Sequence, residues 1–190
     1  METREDWIRA LAPLWKKAGF RKRRASWNRQ QGQLVEVVAA WTSKSFDSFD
    51  LEFGIYDPEM HELCWPGLRR SFIPIPSCMV RTNLTREMGV RCSWGLEDLP
   101  SPEAAVPRGL AFFDRMRTEG AMEEWLEEEL RDWRRGSTYP PPVVHLALLK
   151  FRRGDRSSAI QLLDRLNDSI SGPWEDRMEE IYSHFAEPGL

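Results

Sequence analysis

The sequence predicts an α+β fold. An N-terminal helix packs on a mostly antiparallel five-stranded sheet, and a helical C-terminal half follows. Three observations carry this. Apolar residues recur at helical spacing up to Ala18, at a period of two in separate runs between Ala25 and Trp94, and at helical spacing again beyond Leu99-Pro100-Ser101-Pro102. The boundary between the two classes falls at 98/99, giving a sheet region 1–98 and a helical region 99–190 that together form one unit.

Thr3 and Asp6 resemble a capping box, and Trp7, Leu11, Leu14, Trp15 and Ala18 then share one helical stripe. Pro13 is expected to kink or break that helix. Gly19 supplies a left-handed stop, and Phe20 folds back as an apolar anchor. Ala25–Asn28 reads as a first strand with its turn at Gln30–Gln33, and Leu34–Thr42 as a central strand that is apolar on both faces except at Glu36. Phe49, Leu51, Phe53 and Ile55 alternate with Asp50, Glu52 and Gly54, a half-buried strand. Pro58, Pro66, Pro74 and Pro76 predict a long packed loop from Asp57 to Ser77. Cys78–Leu84 and Val90–Trp94 alternate as strands four and five.

In the helical half, Pro107 is expected to open a helix ending near Gly120. Met122, Trp125, Leu126, Leu130 and Trp133 form the stripe of the next, over 121–135. Glutamates load its first half, Arg131, Arg134 and Arg135 its last turn, and Gly136 caps it. Pro140-Pro141-Pro142 reads as a rigid joint. Two helices follow, separated by Gly154-Asp155, with Ala147 and Ala159 as small residues at their crossing; the pair resembles one tetratricopeptide-type hairpin. A last helix after Pro173 presents Trp174, Met178, Ile181, Tyr182 and Phe185 on one face.

Charge divides unevenly along the chain. Residues 1–95 carry 15 Lys/Arg against 11 Asp/Glu, and residues 96–190 carry 12 against 19, within a net charge of −3. The N-terminus has no apolar signal core and no run is long enough for a membrane helix, so the expectation is a cytoplasmic protein without membrane association. Cys64, Cys78 and Cys92 are expected to be buried and reduced. His61 and Cys64 have the spacing of half a zinc site, but the second pair such a site needs is missing, so no metal is expected. Nor is there a phosphate-binding glycine loop, a His-Glu-x-x-His or a nucleophile elbow, so neither cofactor nor catalytic residues are expected. Glu36 is the one carboxylate in an apolar context; the expectation is that it faces solvent or pairs with Arg81 or Arg91 across the sheet.

Two charged clusters stand out. Arg21-Lys22-Arg23-Arg24, with Trp27 and Arg29 after it, is a candidate phosphate-contacting run, since cations neutralise phosphates and an aromatic stacks on an unpaired base. Its bland reading is the solvated entry to the first strand. Glu123, Glu124, Glu127, Glu128 and Glu129, with Trp125, form an acidic helix face, a candidate docking surface for a basic partner against the default of a solvated face.

Leu14-x-x-x-Ala18-Gly19-Phe20-Arg21-Lys22-Arg23-x-x-x-Trp27, an apolar strand ending Trp41-Thr42-Ser43-Lys44-Ser45, and Phe49-Asp50-Leu51-Glu52-Phe53-Gly54-Ile55 resemble a bacterial domain-of-unknown-function family (type 4304) over roughly residues 8–95. The resemblance implies a small cytoplasmic α+β protein of bacteria and carries no catalytic residue. More loosely, it suggests an immunity protein encoded beside a secreted toxin. The expected function is therefore a noncatalytic binding protein that occludes a cognate toxin through the toxin's basic surface. The alternatives are a nucleic-acid-associated regulator using Arg21–Arg24 and, third, a hydrolase working in the 57–77 loop.

Overall fold

The computed structural model describes residues 3–42, 48–68, 70–90, 94–95, 98–131 and 139–186. Helix α1 (Arg4–Lys17) opens as expected: the Thr3 hydroxyl accepts from the Asp6 N–H at 3.2 Å and donates to the Asp6 carboxylate at 2.9 Å. The helix runs through Pro13 without a break. Its end is a complete Schellman motif. Gly19 has φ +89°, its N–H reaches the Lys16 carbonyl at 3.0 Å, and the Phe20 N–H reaches that of Trp15 at 3.0 Å. The Phe20 ring then sits edge-on to Trp15 at 5.0 Å.

The sheet is antiparallel throughout, in the order β1 (Arg21–Arg23), β2 (Ser26–Gln31), β3 (Leu34–Thr42), β4 (Phe49–Tyr56), β5 (Val80–Asn83). Five strands were expected, but they are not the same five. The basic run itself supplies edge strand β1, which turns into β2 through Arg24 and Ala25. The strand expected from Cys78 to Leu84 ends at Asn83, because the Asn83 side chain accepts from the Arg86 N–H at 2.9 Å and starts the one-turn helix α3 (Leu84–Glu87). Of the strand expected at 90–94, residues 91–93 lie outside the described residues, and Trp94 makes a single bridge to Phe49.

Both sheet faces are used. Register places Trp27, Val38 and Phe53 on one face, where Trp15 of α1 and Phe112 and Phe113 of α4 (Pro102–Arg115) pack against Phe53. The indole N–H of Trp7 donates to the Pro100 carbonyl at 2.8 Å, fixing the entry to α4. That helix opens at Pro102 behind the N-cap Ser101, not at Pro107, which is accommodated in its second turn. The contact between α4 and the sheet is close enough to require glycine: a Cβ on Gly109 would lie 2.5 Å from the Phe53 ring and 2.8 Å from Trp15. On the opposite face Val37, Ala39 and Tyr56 pack with Ile73, Ile75 and Cys78. Asn28 holds that covering segment like a strand partner, bonding the N–H of Ile73 at 2.7 Å and its carbonyl at 3.0 Å.

Glu36 is 3% exposed; Arg81 lies on the other face of the sheet, and Arg91 lies outside the described residues. The partner of Glu36 is Arg29, directly opposite on β2, whose Nε donates to the Glu36 carboxylate at 2.5 Å. Arg29 Nη1 also donates to the Ala18 carbonyl at 2.7 Å, and the guanidinium lies over the Phe20 ring at 4.6 Å.

Packing groups the chain into two compact units: Met1–Asp57 with Arg70–Met116, and Pro58–Arg69 with Arg117–Leu190. The second unit contains α2 (Pro58–Cys64), α5 (Glu119–Glu129), α6 (Pro140–Arg152), α7 (Arg156–Asn167) and α8 (Pro173–Ala186). Several proline-based expectations are corrected here. The 57–77 stretch contains α2, because Pro58 takes the first helical position, where its missing N–H is harmless. Pro140, Pro141 and Pro142 are the first turn of α6 rather than a joint before it, for the same reason. Helix α5 starts two residues earlier than expected, capped by Thr118, and ends at Glu129. Arg131 therefore lies beyond the helix, and Trp133, Arg134, Arg135 and Gly136 lie outside the described residues. The Gly154-Asp155 junction is as expected: Gly154 has φ +87°, and the Asp155 carboxylate accepts from the Ser158 N–H at 3.2 Å. Ala147 and Ala159 are fully buried on the packed pair α6 and α7. Helix α2 packs on α6 and α8, and Arg177 of α8 donates to the Leu63 and Glu62 carbonyls at its end.

Two stability measurements check this packing. Gly109→Ala, which stabilises an ordinary solvent-facing helix, should here lower the urea-unfolding free energy by about 2–3 kcal/mol. Arg29→Ala should lose about 3 kcal/mol by stranding Glu36, whereas Arg29→Met with Glu36→Leu together should lose less than the single change. A double variant less stable than Arg29→Ala would show that Arg29 matters for something other than neutralising Glu36.

Candidate functional site

Helical geometry splits the acidic face of α5 into two rows. Residues 119, 123 and 127 follow one i, i+4 row, and 120, 124 and 128 the next. The first row is occupied by α6. Lys150 Nζ donates to Glu123 at 2.7 Å and to Glu127 at 2.5 Å, Arg153 reaches Glu123 at 2.5 Å, and Arg152 reaches Glu119 at 3.5 Å. Arg152 also pairs with Glu59 of α2 at 2.5 Å, and Glu59 meets His184 of α8 at 3.0 Å, so one network ties four helices. Burial alone would raise the pKa of Glu123, but the hydrogen bonds and charges of Lys150 and Arg153 outweigh it and hold the carboxyl below its ordinary value. Lys150 mirrors this: burial opposes its charge, and its two glutamates override that and raise it.

The second row is free to meet solvent. Glu124 and Glu128 are exposed, and Trp125, in the row beyond them, is half-buried. The expected five-glutamate surface is thus resolved into Glu123 and Glu127, which staple α5 to α6, the outer pair Glu124 and Glu128, and Glu129 at the last position of the helix. Met122 and Leu126 supply the buried stripe that orients both.

The basic run is differently placed. Arg21, Lys22, Arg23 and Arg24 are all exposed on the edge of the sheet, where cations discourage pairing with another edge. The two residues that gave the run a nucleic-acid flavour face inward. Trp27 is fully buried under Lys22, and Arg29 is held by Glu36 and Ala18. What remains is phosphate contact without a stacking platform.

The buried thiols are not poised for attack. Desolvation pushes the Cys64 thiol up to about 12 and moves Cys78 upward as well, despite a nearby arginine in each case. Among the described residues no three His, Cys, Asp or Glu side chains gather in a way that could hold a metal.

Sequence reasoning missed one group. Asp50 and Glu52 read as the solvated side of a half-buried strand, yet Asp50 is 4% exposed. Its carboxylate accepts from Thr85 Oγ1 at 2.7 Å and from the Leu51 and Thr85 N–H groups at 2.8 and 3.3 Å. Burial raises the pKa of both Asp50 and Glu52. The available signal was the Asp-x-Glu spacing on a strand bordered by strands on both sides. Directly across from Asp50 on β3 stands Trp41, 46% exposed.

Residues 11–106 match the family model described as Domain of unknown function (DUF4304), a span of just over half the chain, and the chain belongs to that family. No curated protein and no solved structure matches it. No helix among the described residues is long and apolar enough to cross a membrane.

The row assignment has a pH signature. The depressed Glu123 contributes stability above its ordinary value of 4.5 that is lost as pH falls through its lowered value. The raised Lys150 contributes below 10.5 and loses that contribution as pH rises through its higher value. At neutral pH, Glu123→Gln should therefore lower the thermal midpoint, by the equivalent of about 1 kcal/mol, while Glu124→Gln should stay within about 0.5 kcal/mol of the parent. Equal effects of the two would overturn the division into rows.

Proposed function

We propose that this chain is a noncatalytic binding protein, in its most concrete form a bacterial cytoplasmic immunity protein that neutralises a cognate toxin by direct binding. The observation that carries this is the division of α5. Its inner carboxylates are consumed by Lys150, Arg152 and Arg153, so Glu124 and Glu128 project from a helix whose orientation is already fixed. A pre-ordered acidic pair beside the half-buried Trp125 suits the rim of a basic active cleft. Charge there sets the approach and register, and an aromatic adds affinity once desolvated. The buried, protonated state of Cys64 and Cys78 supports a binding role over thiol chemistry.

A second reading, a nucleic-acid-associated regulator, is favoured by the exposure of Arg21, Lys22, Arg23 and Arg24. With Trp27 and Arg29 engaged in the fold, that reading reduces to phosphate contacts that fall away steeply with salt.

Co-expression with a secreted toxin encoded next to this chain should rescue growth, and the two proteins should copurify. Glu124→Lys with Glu128→Lys should weaken that complex by about tenfold or more without shifting the thermal midpoint. Rescue and affinity unchanged by the double reversal would exclude α5 as the contact. Absence of rescue and of any complex would exclude the immunity reading itself.

A further inference from the structure

The sheet unit carries a second arrangement suited to a basic partner. On the face of β3 and β4 away from α1 and α4, Trp41 stands opposite Asp50, and Glu52 is the next residue along β4 on that side. Directly opposed residues bring their Cβ atoms to about 5 Å and diagonal ones to about 7–8 Å, so the Trp41 ring and the Glu52 carboxylate flank one spot on the sheet. Ala39, which register places beside Glu52 and between Trp41 and Val37, is buried against Ile73, Ile75 and Cys78 and bounds the spot on that side. We propose that this spot receives an arginine side chain of a basic protein partner, the guanidinium lying on the Trp41 ring and pairing with the Glu52 carboxylate.

Three features select that ligand. Trp41 is 46% exposed, and tryptophan gives the strongest cation–π face. Glu52 is half-buried, with no hydrogen bond or ion pair to another described residue; Arg81 acts on it only through space. Two residues along β4, Asp50 adds a second negative charge whose own bonds are taken up by Thr85 and Leu51. Burial raises Glu52 and outweighs the through-space pull of Arg81, so the carboxylate keeps capacity for a closer cation. Arginine is favoured over lysine because its planar fork can stack on an indole and bond a carboxylate together.

This inference rests on reading the chain as a binder of a basic protein, and it puts a contact on the sheet unit besides the α5 pair. The test uses the full chain, isotope-labelled, titrated with the peptide acetyl-Gly-Arg-Gly-Arg-Gly-amide. The Trp41 indole signal is identified by its loss in Trp41→Phe. We expect that signal to shift saturably with the arginine peptide and not with its citrulline counterpart. Glu52→Gln and Trp41→Ala should each weaken binding about threefold to fivefold, and Arg81→Gln should strengthen it by removing a competing cation. Equal shifts with the citrulline peptide, or an unchanged dissociation constant in Glu52→Gln, would overturn the proposal. A thermal midpoint for each variant separates lost binding from lost folding, and Trp41→Phe retains a ring if Trp41→Ala unfolds. The peptide arm needs no toxin, so peptide binding without a toxin complex would refute only the immunity reading. A toxin complex indifferent to Trp41 and Glu52 would refute only this site.

Discussion

Arg29 is the side chain on which the architecture of the sheet unit turns. One guanidinium neutralises the buried Glu36 carboxylate across the β2–β3 pair, accepts the weight of the α1 C-terminus through the Ala18 carbonyl, and lies on the Phe20 ring. The negative end of the helix dipole, a desolvated carboxylate and an aromatic face are all stabilised by a single cation. Because Phe20 is also the closing residue of the Schellman motif and touches both Trp15 and Phe113, the helix stop, the strand register and the α4 contact are specified together. A one-residue slip of β2 against β3 would turn Arg29 to the other face and leave Glu36 unpaired in an apolar layer.

The helical unit solves a different problem with the same chemistry. Its α5 carries repelling glutamates, and α6 spends three cations on the row that faces it. Exposed ion pairs contribute little to stability, but Lys150 and Glu123 are each largely shielded, so this pairing orients α5 as well as neutralising it. The outer pair is then presented by a surface that need not reorganise on binding, which is where affinity is usually lost.

Much of this was legible in the residues. Gly19-Phe20 announced the helix stop, Thr3 and Asp155 announced caps, and strict alternation over Phe49–Ile55 marked a strand whose apolar side faces the helices. What was not legible depended on partners distant in sequence. Period-two reasoning separates two strand faces but does not say whether the polar one meets water, so Asp50 was misjudged: Thr85, 35 residues on, covers it. Glu36 was expected to seek arginines on the far side of the sheet, whereas hairpin register puts Arg29 opposite it. Proline misled where it was taken as a breaker, since Pro58 and Pro140 occupy the helix start, the position that tolerates them. The split of the acidic face could be drawn on a helical wheel, but which row meets α6 could not.

Helix α2 is contributed to the helical unit from inside the sequence of the sheet unit, so the chain crosses between the units three times. Its covering partners come late: the Arg177 bond to the Leu63 carbonyl closes over a sequence separation of 114 residues. At ribosomal speeds of about 5–20 residues per second, the buried side of α2, with Met60, Leu63 and Cys64, waits on the order of 6–25 s after synthesis before α8 exists to meet it. The sheet unit, complete by Met116, can form before the helical unit, which closes only once α8 has been made. The nascent protein therefore passes through a stage in which the sheet unit is complete while the apolar side of α2 still waits for its partner helices, and that stage is where chaperone dependence and aggregation will concentrate.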